Sequence, residues 1–87
     1  MDKPRVIVCA ANRDSHGALI FGVRHCDRFM HGQRDDLRGT EQGFVDQYGN
    51  FLTREEAWTV AEAAGQIKYR VGGDTINGGR LFSENLY

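Results

Sequence analysis

The sequence predicts an α+β fold, a small antiparallel sheet with one principal helix packed on it. Three observations predict it. Two short apolar runs rich in β-formers flank a turn-forming stretch near the N-terminus, a second such pair flanks residues 46–50, and residues 51–67 hold the start, face and stop of one amphipathic helix.

Residues 5–11, RVIVCAA, and 18–24, ALIFGVR, are the first two strands. Between them NRDSHG supplies Asn, Asp, Ser and Gly, so the pair reads as an antiparallel hairpin with His16 and Gly17 at its tip. Across residues 25–37 the apolar Cys26, Phe29, Met30 and Leu37 fall near helical spacing, but Gly32 weakens the helix by about 1 kcal/mol relative to alanine. That stretch reads as a short helix or a turn-rich loop. Phe44 and Val45, then Phe51 and Leu52, flank DQYGN, which predicts a second hairpin with Gly49 or Asn50 at positive φ.

Thr53 stands where an N-cap belongs, and Glu56 three residues later completes a capping box that satisfies donors orphaned in the first turn. Ala57, Val60, Ala61 and Ala64 follow at i, i+3, i+4 and i+7, so residues 54–64 present one small apolar face able to lie close against a sheet. Gly65 is the residue that takes the left-handed conformation and ends the helix. Beyond it the pattern predicts a strand over 67–71 and then two Gly-Gly pairs. The closing run 81–87, apolar at Leu81, Phe82, Leu86 and Tyr87, is expected to dock on the core.

A chain of 87 residues is read as a single small domain, 1–87, with one modest core. A scaffold of that size gains from self-association, and Trp58, Phe82 and Tyr87 exceed what one short sheet easily covers, so a homo-oligomer is expected. Eleven basic against twelve acidic side chains give a net charge of −1, which argues against a sequence-independent nucleic-acid binder. Cys9 and Cys26 form no C-x-x-C pattern and read as reduced thiols. No signal segment and no apolar run approaching the ~18 residues of a membrane span is visible, so no membrane role is expected.

EQGFVDQYGNFLTREEAWTVAEAAGQI, the terminal LFSENLY and VRH after the first hairpin together resemble a group of short proteins encoded by bacteriophages and prophages. The shared pattern falls on Gly43, Phe44, Gly49, Phe51, Arg54, Glu56, Ala57, Ala61, Gln66, Ile67, Leu81, Ser83, Glu84 and Leu86. This chain has Asn85 where the group tends to have Asp. The resemblance implies a viral protein acting in the host cytoplasm. Small phage proteins of this kind are often counter-defence factors, some of which sequester nucleotide signals of bacterial immunity.

RHCDRFMH concentrates Arg24, His25, Asp27, Arg28 and His31 where the first hairpin ends. One reading is an anion or nucleotide site, because guanidinium forks match phosphate oxygens in pairs and imidazole can stack on a base or bond it. The other is a solvated charged face. GGDTINGGR is either a cradle of backbone amides closed by Arg80 or a mobile surface loop, since it lacks the Gly-Lys-Ser/Thr ending of a phosphate loop. His25, Asp27 and His31 make a conceivable metal set, but six residues separate the histidines and no metal or cofactor is expected. No Ser-His-Asp or Cys-His arrangement can be argued from spacing, so no catalytic residue is assigned. The expectation is a non-enzymatic protein that binds a small anionic nucleotide-like ligand through Arg24, His25, Arg28, His31 and Arg80. The alternative is a protein-binding inhibitor of a host defence or nucleic-acid enzyme.

Overall fold

The computed structural model describes residues 4–24, 28, 32, 40–75 and 78–87. Strands β1 (Ile7–Arg13), β2 (Leu19–Gly22), β3 (Glu41–Asp46) and β4 (Phe51–Thr53) form an antiparallel sheet in the order β2-β1-β3-β4. Helix α1 (Arg54–Ala63) packs on one face. The α+β expectation holds, with four strands.

The two hairpins are closed by the same five-residue device. Asp14 Oδ1 accepts from the backbone N–H groups of His16 and Ala18, each at 2.9 Å, and Asp46 Oδ1 accepts likewise from Tyr48 and Asn50. Gly17 and Gly49 occupy equivalent places at φ +85° and +83°, each donating to the carbonyl of the leading aspartate. DSHGA and DQYGN are thus one turn used twice. Because β1 and β3 pair antiparallel, the two turns lie at opposite ends of the sheet.

Around α1 the local signals are realised in full. Thr53 Oγ1 accepts from Glu56 N at 3.2 Å and the Glu56 carboxylate accepts from Thr53 N at 3.0 Å. At the other end Gln66 N donates to Ala61 O and Gly65 N to Glu62 O, the paired bonds of a Schellman ending with Gly65 at φ +69°. Ala57, Trp58 and Ala61 are the buried helix residues, and they meet Ala10, Ile20, Phe44 and Leu52 of the sheet together with Leu81 and Leu86.

Residues 67–71 do not form the expected strand. Their backbone is claimed from elsewhere, since Lys68 N and Tyr69 N both donate to Asn85 O, and a chain bound to a terminal turn cannot also join a ladder. The side chain of Gln66 supplies what a strand would have: its amide donates to Ile7 O at 2.9 Å and accepts from Ile7 N at 2.8 Å. The glycine-rich loop is exposed at Gly72, Thr75 and Gly78 but anchored at two points. Asp74 is buried, and Gly79 presses on Trp58 so closely that a Cβ there would fall 2.3 Å from the indole Cδ1. Trp58 is accordingly 7% exposed and belongs to the core, so it gives no reason to expect a partner chain.

The terminal segment docks as expected, with Leu81 and Leu86 buried and a 3₁₀ turn at Ser83–Asn85. Among the described residues no helix is long and apolar enough to cross a membrane.

Candidate functional site

The helix start and the terminal segment are held together by Arg54. Its backbone carbonyl accepts from Leu81 N at 2.9 Å, and its Nη1 donates to Leu81 O at 2.7 Å. Its Nη2 donates to Gln42 Oε1 at 2.5 Å, and the guanidinium lies over the Phe82 ring with 4.7 Å to the centroid. Burial lowers the pKa of Arg54 most, the charge of Arg80 adds to that, and Glu84 and Glu55 oppose it. These four charged groups therefore share one neighbourhood. Arg80 Nε stands 3.5 Å from Glu55 Oε1, close enough to attract but not aligned as a hydrogen bond.

Glu84 links this group to Arg24. Arg24 Nη1 donates to Glu84 Oε1 at 3.1 Å, Nη2 donates to the Tyr87 carbonyl, and the guanidinium lies over the Tyr87 ring at 5.4 Å. The Tyr87 hydroxyl in turn donates to Val23 O. Burial alone would raise the Glu84 carboxyl. Its own backbone N–H, the Ser83 hydroxyl and Arg24 outweigh that and hold it below its ordinary value. Arg24 and Arg54 thus lie beside Glu84, and Arg80 stands beside Arg54 and Glu55.

Of the residues singled out from the sequence, Arg24 and Arg80 are joined on this surface through Arg54 and Glu84. Arg28 is helical and exposed, while His25 and His31, with Asp27 and Cys26, lie outside the described residues. Sequence reasoning misses the roles of Arg54, Gln42, Phe82 and Glu84. Arg54 reads in sequence as the first residue of a capped helix, and nothing in local spacing says that its side chain reaches a carbonyl 27 positions away.

Asp74 and Asp46 are tied into the fold by several donors each. Asp74 receives two hydrogen bonds from Arg70, at 2.8 and 2.9 Å, one from Val71 N and one from Asn85 Nδ2. Arg70 first, then the Val71 amide, holds the carboxyl well below the usual range against the opposing effect of burial. Asp46 is lowered too, since donors from Asn50, Tyr48 and Arg5 overcome the desolvation that would raise it. The free thiol of Cys9 is pushed up by burial. Among the described residues no group of three or more His, Cys, Asp or Glu is placed to hold a metal ion.

Comparison with known proteins returns no matching curated protein and no matching solved structure. A family model does match. It is that of the phage T4 y16D protein, it covers residues 6–87, and the chain therefore belongs to this family of bacteriophage proteins.

Proposed function

We propose that this phage protein binds a small anionic, nucleotide-type immune signal in the host cytoplasm and sequesters it without turnover. The observation that supports the reading is the grouping of Arg24, Arg54 and Arg80 with Glu84 and Glu55, with two of the guanidinium groups over aromatic rings. Guanidinium forks match phosphate oxygens in pairs, and a ring beside them offers a base a face to stack on. Glu84 and Glu55 are both exposed, so an arriving phosphate can displace them into water at small cost. Among the described residues this surface offers charge and stacking, and Ser83, whose hydroxyl donates to Glu84, is buried.

Incubation with a panel of cyclic nucleotides and ADP-ribose derivatives, followed by heat denaturation, tests the reading. Depletion of a panel member and its intact release support sequestration, whereas recovery of a cleaved product makes the protein an enzyme.

The second reading is a protein-binding inhibitor of a host defence or nucleic-acid enzyme. It is favoured by Val8, Phe21 and Val23, exposed by 54%, 42% and 49% on the β1–β2 side of the sheet, which give a protein partner apolar surface to cover. The same surface suits a second copy of the chain, and a homo-oligomer remains part of the proposal. Sedimentation that finds only monomer at tens of micromolar removes that part. Depletion of no panel member, with tight capture of one host protein, favours the inhibitor instead.

A further inference from the structure

A cavity of about 420 Å³ opens where the start of β1, the turn after α1 and the C-terminal residues meet, with neither Arg54 nor Arg80 in its lining. Its size falls within the range of small-molecule sites. Ile7 and Leu86, both buried, provide apolar lining, Gly65 and Gln66 contribute polar backbone and amide surface, and Val8, Lys68 and Tyr87 complete it.

This lining is fixed before any ligand arrives. Both polar atoms of the Gln66 amide are used on the backbone of Ile7, Gly65 is locked in the helix ending, and Lys68 N is tied to Asn85 O. The Tyr87 ring is pinned by its hydroxyl on Val23 O and by Arg24 over its face. Ile7 pairs with Asp46 and Cys9 with Val45, so Val8 is the extra residue of a β-bulge, a distortion that re-aims side chains and is frequent beside functional sites. Val8 is 54% exposed.

Charge distinguishes this cavity from an ordinary surface dent. Arg5, Arg13, Arg24, Arg70 and Arg80 each face a carboxylate, whereas Lys68, exposed at the cavity, meets none among the described residues. A lining that is part apolar and part polar, a tyrosine ring and an ammonium group that faces no carboxylate among the described residues together suit a flat ring that carries an acid.

We propose that this cavity is a binding site for a small aromatic anion, its ring against Ile7, Leu86 and Tyr87 and its acid group on Lys68. The site shares Tyr87 with the arginine surface but includes neither Arg54 nor Arg80, so the two are told apart by where the shifts fall. Titrating isotope-labelled protein with adenosine monophosphate tests it by amide shifts. Shifts should centre on Val8, Gly65, Gln66 and Lys68, and binding should weaken roughly tenfold in Lys68→Ala, the loss of one charge-assisted contact. Val8→Trp, which crowds the cavity, should weaken it as well. Adenosine and ribose phosphate, each lacking one half of the ligand, should both bind less tightly. Shifts confined to the amides around Arg54 and Arg80, unchanged affinity in both variants, or no shift at millimolar ligand would overturn the assignment.

Discussion

Asn85 donates from Nδ2 to Asp74 Oδ2 across 3.2 Å, and both side chains are buried. The same amide group donates to Tyr69 O at 2.8 Å while Asn85 Oδ1 accepts from Phe82 N at 2.8 Å, so one side chain joins three segments of the C-terminal third. An amide fits because Asp74 needs a donor and Phe82 N an acceptor. A carboxylate could satisfy only the second.

Asn85→Asp, the residue that the resembling phage proteins tend to carry, should therefore destabilise this chain. It would face the Asp74 carboxylate and the Tyr69 carbonyl with a second negative charge, an uncompensated buried group costing about 3 kcal/mol. Chemical denaturation measures it. Unchanged stability would mean that Asp74 does not depend on the Asn85 amide.

Acid should act through the aspartates. The folded pKa values of Asp74 and Asp46 are both lowered, so their contribution to stability is present above the unfolded value of about 3.9 and is lost as pH falls through the folded one. The wild type should lose stability steadily below about pH 4. Asp74→Asn should be less stable at neutral pH and show a flatter profile in acid, and denaturant midpoints across that window would reveal both.

Gly79→Ala should be far more harmful than Gly78→Ala. Both glycines have positive φ, +113° and +90°, but only at Gly79 does a Cβ run into Trp58, at 2.3 Å from Cδ1, while at Gly78 it meets nothing within 4 Å. The expected costs are ~3 kcal/mol or more for Gly79 and ~1 kcal/mol for Gly78. Thermal unfolding followed by Trp58 fluorescence gives both, and equal losses would show that the indole is not pressed on Gly79.

Thr53→Ala should cost ~1 kcal/mol through loss of the cap and leave ligand binding intact. Thr53 also lowers the Glu56 carboxyl, first through its backbone N–H and then through its hydroxyl, so only part of that effect should disappear with the substitution. Loss of binding in a folded Thr53→Ala variant would place Thr53 in the site.

What was legible in the sequence was local. The Thr53–Glu56 box, the Gly65 ending and both turn tips depend on residues within five positions, and each stands as expected. The repeated aspartate was equally local, since Asp14 and Gly17 have the spacing of Asp46 and Gly49, yet its role becomes plain only when both carboxylates are seen accepting from their own loops. Residues 67–71 misled because alternating Ile67, Tyr69 and Val71 mimic a strand, and the competing acceptor, Asn85 O, lies 16 or more positions away. The candidate site was half legible: Arg24 and Arg80 stand out as charges beside turns, but Arg54 and Glu84, which join them, act across folds of the chain that spacing does not encode.

That the arginine surface holds an anionic nucleotide-type ligand is tested most directly by equilibrium depletion with the Arg54→Ala, Arg80→Ala double variant, against the same panel of cyclic nucleotides and ADP-ribose derivatives. Wild type should deplete at least one member, and the folded double variant should retain it at least roughly tenfold more weakly, each charge-assisted hydrogen bond contributing about 1.5 to 3 kcal/mol. Equal depletion by the two proteins, or depletion by neither, would contradict this role for the arginines.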